Sequence, residues 1–89
     1  MREIVLHRRA EKNLSRMPRH RQIQMLAALE EVADLANISE HPNIRALSGE
    51  LAGWFRLRVG VYRTILQPRK VDPSEVLYVA YIGPRGDAY

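Results

Sequence analysis

Eighty-nine residues leave room for one domain, residues 1–89, with a thin core. Hydrophobic residues at 46% and charged residues at 27% form a globular balance, which excludes a fully disordered chain. The net charge is +4 and there is no cysteine, so disulfides and thiolate metal sites are excluded and no cofactor is implied.

Arg2 to Leu6 sets Ile4 and Leu6 on one face of an extended segment and predicts a first strand. Its apolar run is too short for the core of a secretory signal, and no later stretch approaches the roughly 18–20 apolar residues of a membrane span. A soluble cytoplasmic protein with no membrane partner is expected. Arg8 to Met17 places Ala10, Leu14 and Met17 at helical spacing and ends near Pro18. From Arg19 to Asn37, the positions Ile23, Leu26, Ala27, Leu29, Val32, Ala33 and Ala36 trace a broad apolar stripe. Pro18 fits the first turn of that helix.

Residues 37–53 hold Ser39, Pro42, Asn43, Ser48, Gly49 and Gly53 and read as connection. Beyond them the period switches to two. Phe55, Leu57 and Val59 alternate with Trp54, Arg56 and Arg58, giving one apolar face and one basic face. Gly60 supplies a turn, Tyr62 to Gln67 returns as a strand, Pro68 to Ser74 reads as a loop, and Glu75 to Ile82 is a last strand closed by Gly83-Pro84. The predicted order is β-α-α-β-β-β. This is an α+β fold with a helical hairpin packed on one face of a mostly antiparallel sheet.

Charge follows the same division. Residues 1–23 carry net +5, residues 24–50 net −4, residues 51–71 net +5 and the remainder net −2. Twelve of the fourteen basic residues are arginine, whose planar fork suits phosphate better than the point charge of lysine. The helices cover one side of the sheet, so Arg56 and Arg58 face outward. Two strand residues apart means about 6–7 Å, close to the spacing of successive phosphates in an extended nucleic-acid strand. A solvated outer face is the competing reading of both arginines. Trp54, Arg58, Arg69 and Lys70 are the residues expected to meet nucleic acid, although Trp54 also suits the edge of a core.

Leu47-Ser48-Gly49, the segment Trp54-Phe55-Arg56-Leu57-Arg58-Val59-Gly60-Val61-Tyr62-Arg63 and the ending Gly83-Pro84-Arg85-Gly86-Asp87-Ala88-Tyr89 resemble the RelE/ParE toxin superfamily of toxin–antitoxin modules. The resemblance spans essentially the whole chain. Its middle motif sets three arginines, a turn glycine and a tyrosine at fixed spacing. The family pattern is departed from at Pro84, where many relatives have histidine, and at Gly86, where a second arginine is usual.

The resemblance implies a toxin that enters the ribosomal A site and cleaves mRNA without metal, by attack of the RNA 2′-hydroxyl on its own phosphate. Carried over by position, Arg56 lies beside the nucleophilic hydroxyl, Arg63 holds phosphate, Arg85 meets the leaving group and Tyr89 stacks on or orients the base. Arg56 cannot act as a base, because guanidinium stays protonated to about pH 12. His41 reads as a loop histidine rather than a base. The implied partners are a cognate antitoxin, the ribosome and mRNA. The alternative on the same fold is a ParE-like, non-catalytic inhibitor of DNA gyrase, which needs no aligned arginines. A third reading is a basic module that only binds nucleic acid.

Overall fold

The structure is a computed structural model and describes residues 1–84. The chain runs β1 (Glu3–Leu6), α1 (Arg8–Ser15), α2 (Arg19–Asp34), β2 (Ile44–Ala46), β3 (Phe55–Val59), β4 (Tyr62–Val71) and β5 (Ser74–Pro84). The five strands form one sheet in the order β1-β5-β4-β3-β2. Every neighbouring pair is antiparallel except β1 and β5, which are parallel. The expected α+β architecture is present, with helices on one face of a mostly antiparallel sheet. No helix among the described residues is long and apolar enough to cross a membrane.

The alternation in β3 does what its pattern requires. Leu57 is fully buried on the helix side, together with Leu66, Leu77, Val79 and Ile82 from β4 and β5. Ala10, Leu14 and Met17 of the first helical segment close over them, as their spacing predicts. Tyr62 also packs against this cluster. Gly60 begins the two-residue turn between β3 and β4 at φ +59°, a conformation that favours glycine.

Three expectations are corrected. First, residues 37–53 are not all connection. Ile44–Ala46 forms β2, paired with β3 from Ile44 opposite Leu57 to Ala46 opposite Phe55. A three-residue strand with one apolar side chain leaves no period to detect. Second, the expected loop over residues 68–74 shrinks to a turn at Asp72 and Pro73, and the rest is strand. β4 continues to Val71 and pairs with β5 down to Val71 opposite Ser74. The last β4 residue paired with β3 is Leu66, so Pro68 lies where β4 has become an edge, and there a missing N–H is tolerated.

Third, α2 does not bury the stripe predicted for it. Met25, Leu29, Val32 and Ala33 face the sheet, whereas Ile23 and Leu26 are 59% and 42% exposed. At 3.6 residues per turn the predicted stripe was too broad for one face, and the sheet takes only one side of it.

Arg2 fastens the end of this layer. Its backbone N–H donates to Ala33 O (3.0 Å), and its guanidinium donates to Leu35 O, to Ala36 O (3.0 Å) and to Glu75 Oε1 (3.0 Å). α2 has no basic residue in its own last turn, so Arg2 supplies the cation that complements the helix C-terminus. Because the bond to Leu35 O is part-buried, Arg2→Ala should lower unfolding free energy by about 1–3 kcal/mol in urea titrations. Arg2→Lys should recover only part of that, since one ammonium cannot span three acceptors.

Candidate nucleic-acid interface

With Leu57 and Leu66 committed to the helix side, the odd-numbered positions of β4 and the even-numbered positions of β3 project from the other face of the sheet. Strand pairing then aligns them in rows. Arg45 lies opposite Arg56, which lies opposite Ile65, which lies opposite Tyr81; Arg58 lies opposite Arg63, which lies opposite Gly83. Four arginines therefore share one face, about 5 Å apart across strands and 6–7 Å apart along them. The residues of β2, β3 and β4 on this face include no Asp or Glu.

Arg45 and Arg58 are exposed, whereas Arg56 and Arg63 are half-buried. The Nε of Arg56 is buried and makes no hydrogen bond among the described residues. A small cavity of about 120 Å³ is lined by Pro42, Asn43, Arg45, Arg56 and Arg58. Three arginines lining so small a space make it suited to a phosphate-sized anion.

Next to the arginines lies an apolar cleft of about 400 Å³, lined by His7, Arg9, Leu51, Trp54, Ile65, Ala80 and Tyr81. Ile65 is only 4% exposed although it lies outside the helix-side core. The absence of a β-carbon at Gly83 leaves the space that the Tyr81 phenol fills as it lies across that position. His7 caps α1, its Nδ1 accepting from Arg9 N at 3.0 Å, and its own N–H donates to Val79 O. The N-terminus of α1 is thereby held at the rim of the cleft.

Farther along β4, Arg69 lies over two rings, 4.1 Å from the Tyr78 centroid and 5.3 Å from that of Trp54. The two rings are 6.2 Å apart and inclined at 57°. Gln67 organises the group: its Oε1 accepts from Arg69 Nε (2.6 Å), and its Nε2 donates to Gly53 O (3.0 Å). Trp54 thus borders both the cleft and this cation–aromatic stack.

Of the residues expected from sequence, Trp54, Arg56, Arg58, Arg63 and Arg69 come together on one face. Lys70 does not; it lies on the opposite face of β4, paired across the hairpin with Glu75. Arg85 and Tyr89 lie outside the described residues. His41 is 8% exposed, its Nδ1 accepts from Asn43 N (3.1 Å) and its Nε2 donates to Glu31 (3.0 Å). It joins the loop to α2 and leaves no nitrogen for proton transfer. Sequence reasoning missed Arg45, which sits in the acidic block, and Ile65, Gln67, Tyr78 and Tyr81. Their face is defined only once the β4–β5 register is known.

The same architecture recurs in solved toxins. The toxin–antitoxin complex RelBE2 from Mycobacterium tuberculosis is 25% identical over 94% of this chain and 98% of that one, with a TM-score of 0.63. The archaeal RelE–RelB complex from Pyrococcus horikoshii is 22% identical over 98% of each chain, with a TM-score of 0.75. The fold is that of the RelE/ParE toxin superfamily. A YoeB/ParE toxin from Agrobacterium tumefaciens shares it at 12% identity, a TM-score of 0.71 and coverage of 93% and 98%. No protein-family model and no curated protein matches the chain in sequence. Within the RelE/ParE fold, the face just described is the one the helices leave uncovered.

The cation–aromatic stack makes a direct prediction. Trp54 is the sole tryptophan, so its emission reports on Arg69. Arg69→Met should shift that emission and cost about 0.5–1 kcal/mol in denaturant unfolding, the usual size of an exposed cation–π contact.

Proposed function

We propose that this chain is the toxin of a type II toxin–antitoxin module and acts in the cytoplasm as a ribosome-dependent mRNA endoribonuclease. The observation that carries this reading is the pair of arginine rows, Arg45 with Arg56 and Arg58 with Arg63, on the part of the sheet face built by β2, β3 and β4, which holds no Asp or Glu and is bordered by an apolar cleft and an aromatic stack. Phosphate needs positive donors and an unpaired base needs a flat apolar surface. Both lie side by side here, Arg56 being paired across the strands with Ile65 of the cleft, which suits single-stranded RNA better than a protein surface.

The proposed reaction is an internal transesterification. The RNA 2′-oxygen attacks the adjacent phosphorus, the bond to the 5′-oxygen breaks, and the products are a 2′,3′-cyclic phosphate and a 5′-hydroxyl. Charge on the phosphoryl oxygens grows on the way to the pentavalent transition state. Arg56 and Arg63 are assigned to that charge, and Arg85 to the departing 5′-oxygen. Arginine supplies electrostatic stabilisation and positioning, the terms that dominate where no side chain is a convincing base. The Nε of Arg56, which has no partner among the described residues, is a donor available to such an oxygen. Tyr89 is assigned to the substrate base. A cognate antitoxin is the second partner; the Mycobacterium and Pyrococcus relatives were solved as complexes with theirs. By mass action it would raise the toxin's apparent stability.

A substitution series on programmed ribosomes tests the reading. Arg56→Ala should lower the cleavage rate by about 10²–10³ while leaving ribosome occupancy nearly intact, as expected for a transition-state donor. Arg85→Ala should behave likewise. Arg45→Ala should instead weaken RNA binding evenly across sequences and reduce the log–log salt slope by about 0.7, the signature of one lost phosphate contact. Cleavage unaffected by Arg56→Ala, together with a salt slope unmoved by Arg45→Ala, would remove the basis of the proposal.

A further inference from the structure

One exposed flank of α2, beside the face that meets the sheet, is neither polar nor random. Arg19, Ile23, Leu26 and Glu30 recur there at intervals of four, three and four, the spacing of a helix–helix seam. Ile23 and Leu26 are 59% and 42% exposed, and Ala27 beside them is exposed and small. Arg19 and Glu30, at the two ends of this stripe, are exposed and form no ion pair with any described residue.

We infer that this seam pairs with the same seam of a second copy, the two α2 helices running antiparallel about a twofold axis. The numbering decides the orientation. An antiparallel register that sets Ile23 against the partner copy's Leu26 also sets Arg19 against the partner copy's Glu30, and the twofold axis repeats both contacts. A parallel arrangement would oppose Arg19 to Arg19 and Glu30 to Glu30. Self-complementarity of one patch under a twofold axis is the requirement for an isologous dimer, and the stripe meets it in shape and in charge. Opposite ends of the helix also carry opposite partial charges, which favours antiparallel packing further.

The seam spans at most the 16 residues of α2, about 24 Å at 1.5 Å per residue. A contact confined to one such helix per copy falls short of the roughly 1,200–2,000 Å² that stable interfaces bury, so the dimer is weak, with a dissociation constant above about 1 μM. Since α2 covers the other side of the sheet, pairing leaves both arginine faces open. The inference is therefore independent of what those faces bind.

Sedimentation velocity on the full chain, from about 5 μM to the solubility limit, reads the association directly. The wild type should shift from monomer towards dimer with concentration. Arg19→Glu and Glu30→Arg should each weaken association at least tenfold. Both positions are exposed, and circular dichroism checks that the variants keep their fold. An equimolar mixture of the two single variants restores opposite charge at both ends of the seam, so it should dimerise where neither does alone. A monomeric wild type at every concentration would overturn the inference. So would dimers indifferent to the single substitutions, or a mixture that stays monomeric although the wild type associates.

Discussion

The pairing register of β3 with β4 is the constraint on which the rest of this molecule depends. Leu57 opposite Thr64, with Thr64 opposite Ile82, commits one face of the sheet to the helices, and all three side chains are buried there. A slip of β3 by one residue would turn Arg56 and Arg58 into the core and Leu57 into water. Burying two guanidinium groups without partners costs more than the net stability of a domain this size, so no such alternative competes. The basic face is thus a by-product of the core: wherever the apolar alternation is satisfied, the arginines must emerge on the other side.

That arrangement carries a cost which a purely structural sheet would avoid. Like charges directly across a strand pair destabilise it, and here Arg45 faces Arg56 while Arg58 faces Arg63. The buried, unpartnered Nε of Arg56 adds to the cost. The rest of the fold supplies rigidity to offset it. Arg2 binds the end of α2 to β1 and β5, His41 links the loop to α2 through Glu31, and Gln67 locks Arg69 onto its rings. Each uses a polar side chain to tie together segments distant in sequence, and none of them occupies the arginine rows. An anionic ligand on those rows would relieve the repulsion, so binding and stability are coupled through the same charges.

Much of this was legible in the chain before any coordinates. The segment Phe55 to Val59 announced both its strand and its two faces, because a period of two is unambiguous when apolar and charged residues alternate strictly. Ala10, Leu14 and Met17 likewise marked the buried side of the first helix. What failed did so for identifiable reasons. Pro68 suggested a loop because strand edges cannot be told from strand centres without the pairing. Ile44 to Ala46 was too short to show a period. α2 bears apolar residues on opposite sides, and sequence alone does not say which side meets the sheet. Lys70 was grouped with Arg69 by adjacency, although adjacent strand residues face opposite ways. Tyr78 and Tyr81 stood in a run of apolar residues that conceals its own alternation. The bulge near Ala80, where Leu66 pairs with Val79 after Ile65 pairs with Tyr81, shifts the phase midway.

The central claim is that the arginine face engages single-stranded RNA and promotes its internal transesterification. The most direct measurement is the chemical identity of the ends formed when the wild-type chain meets mRNA on A-site-programmed ribosomes with a chelator present. The account predicts cleavage with a 2′,3′-cyclic or 3′-phosphate on one fragment and a 5′-hydroxyl on the other. Intact mRNA under those conditions, with gyrase-dependent supercoiling blocked by the same preparation, would contradict it.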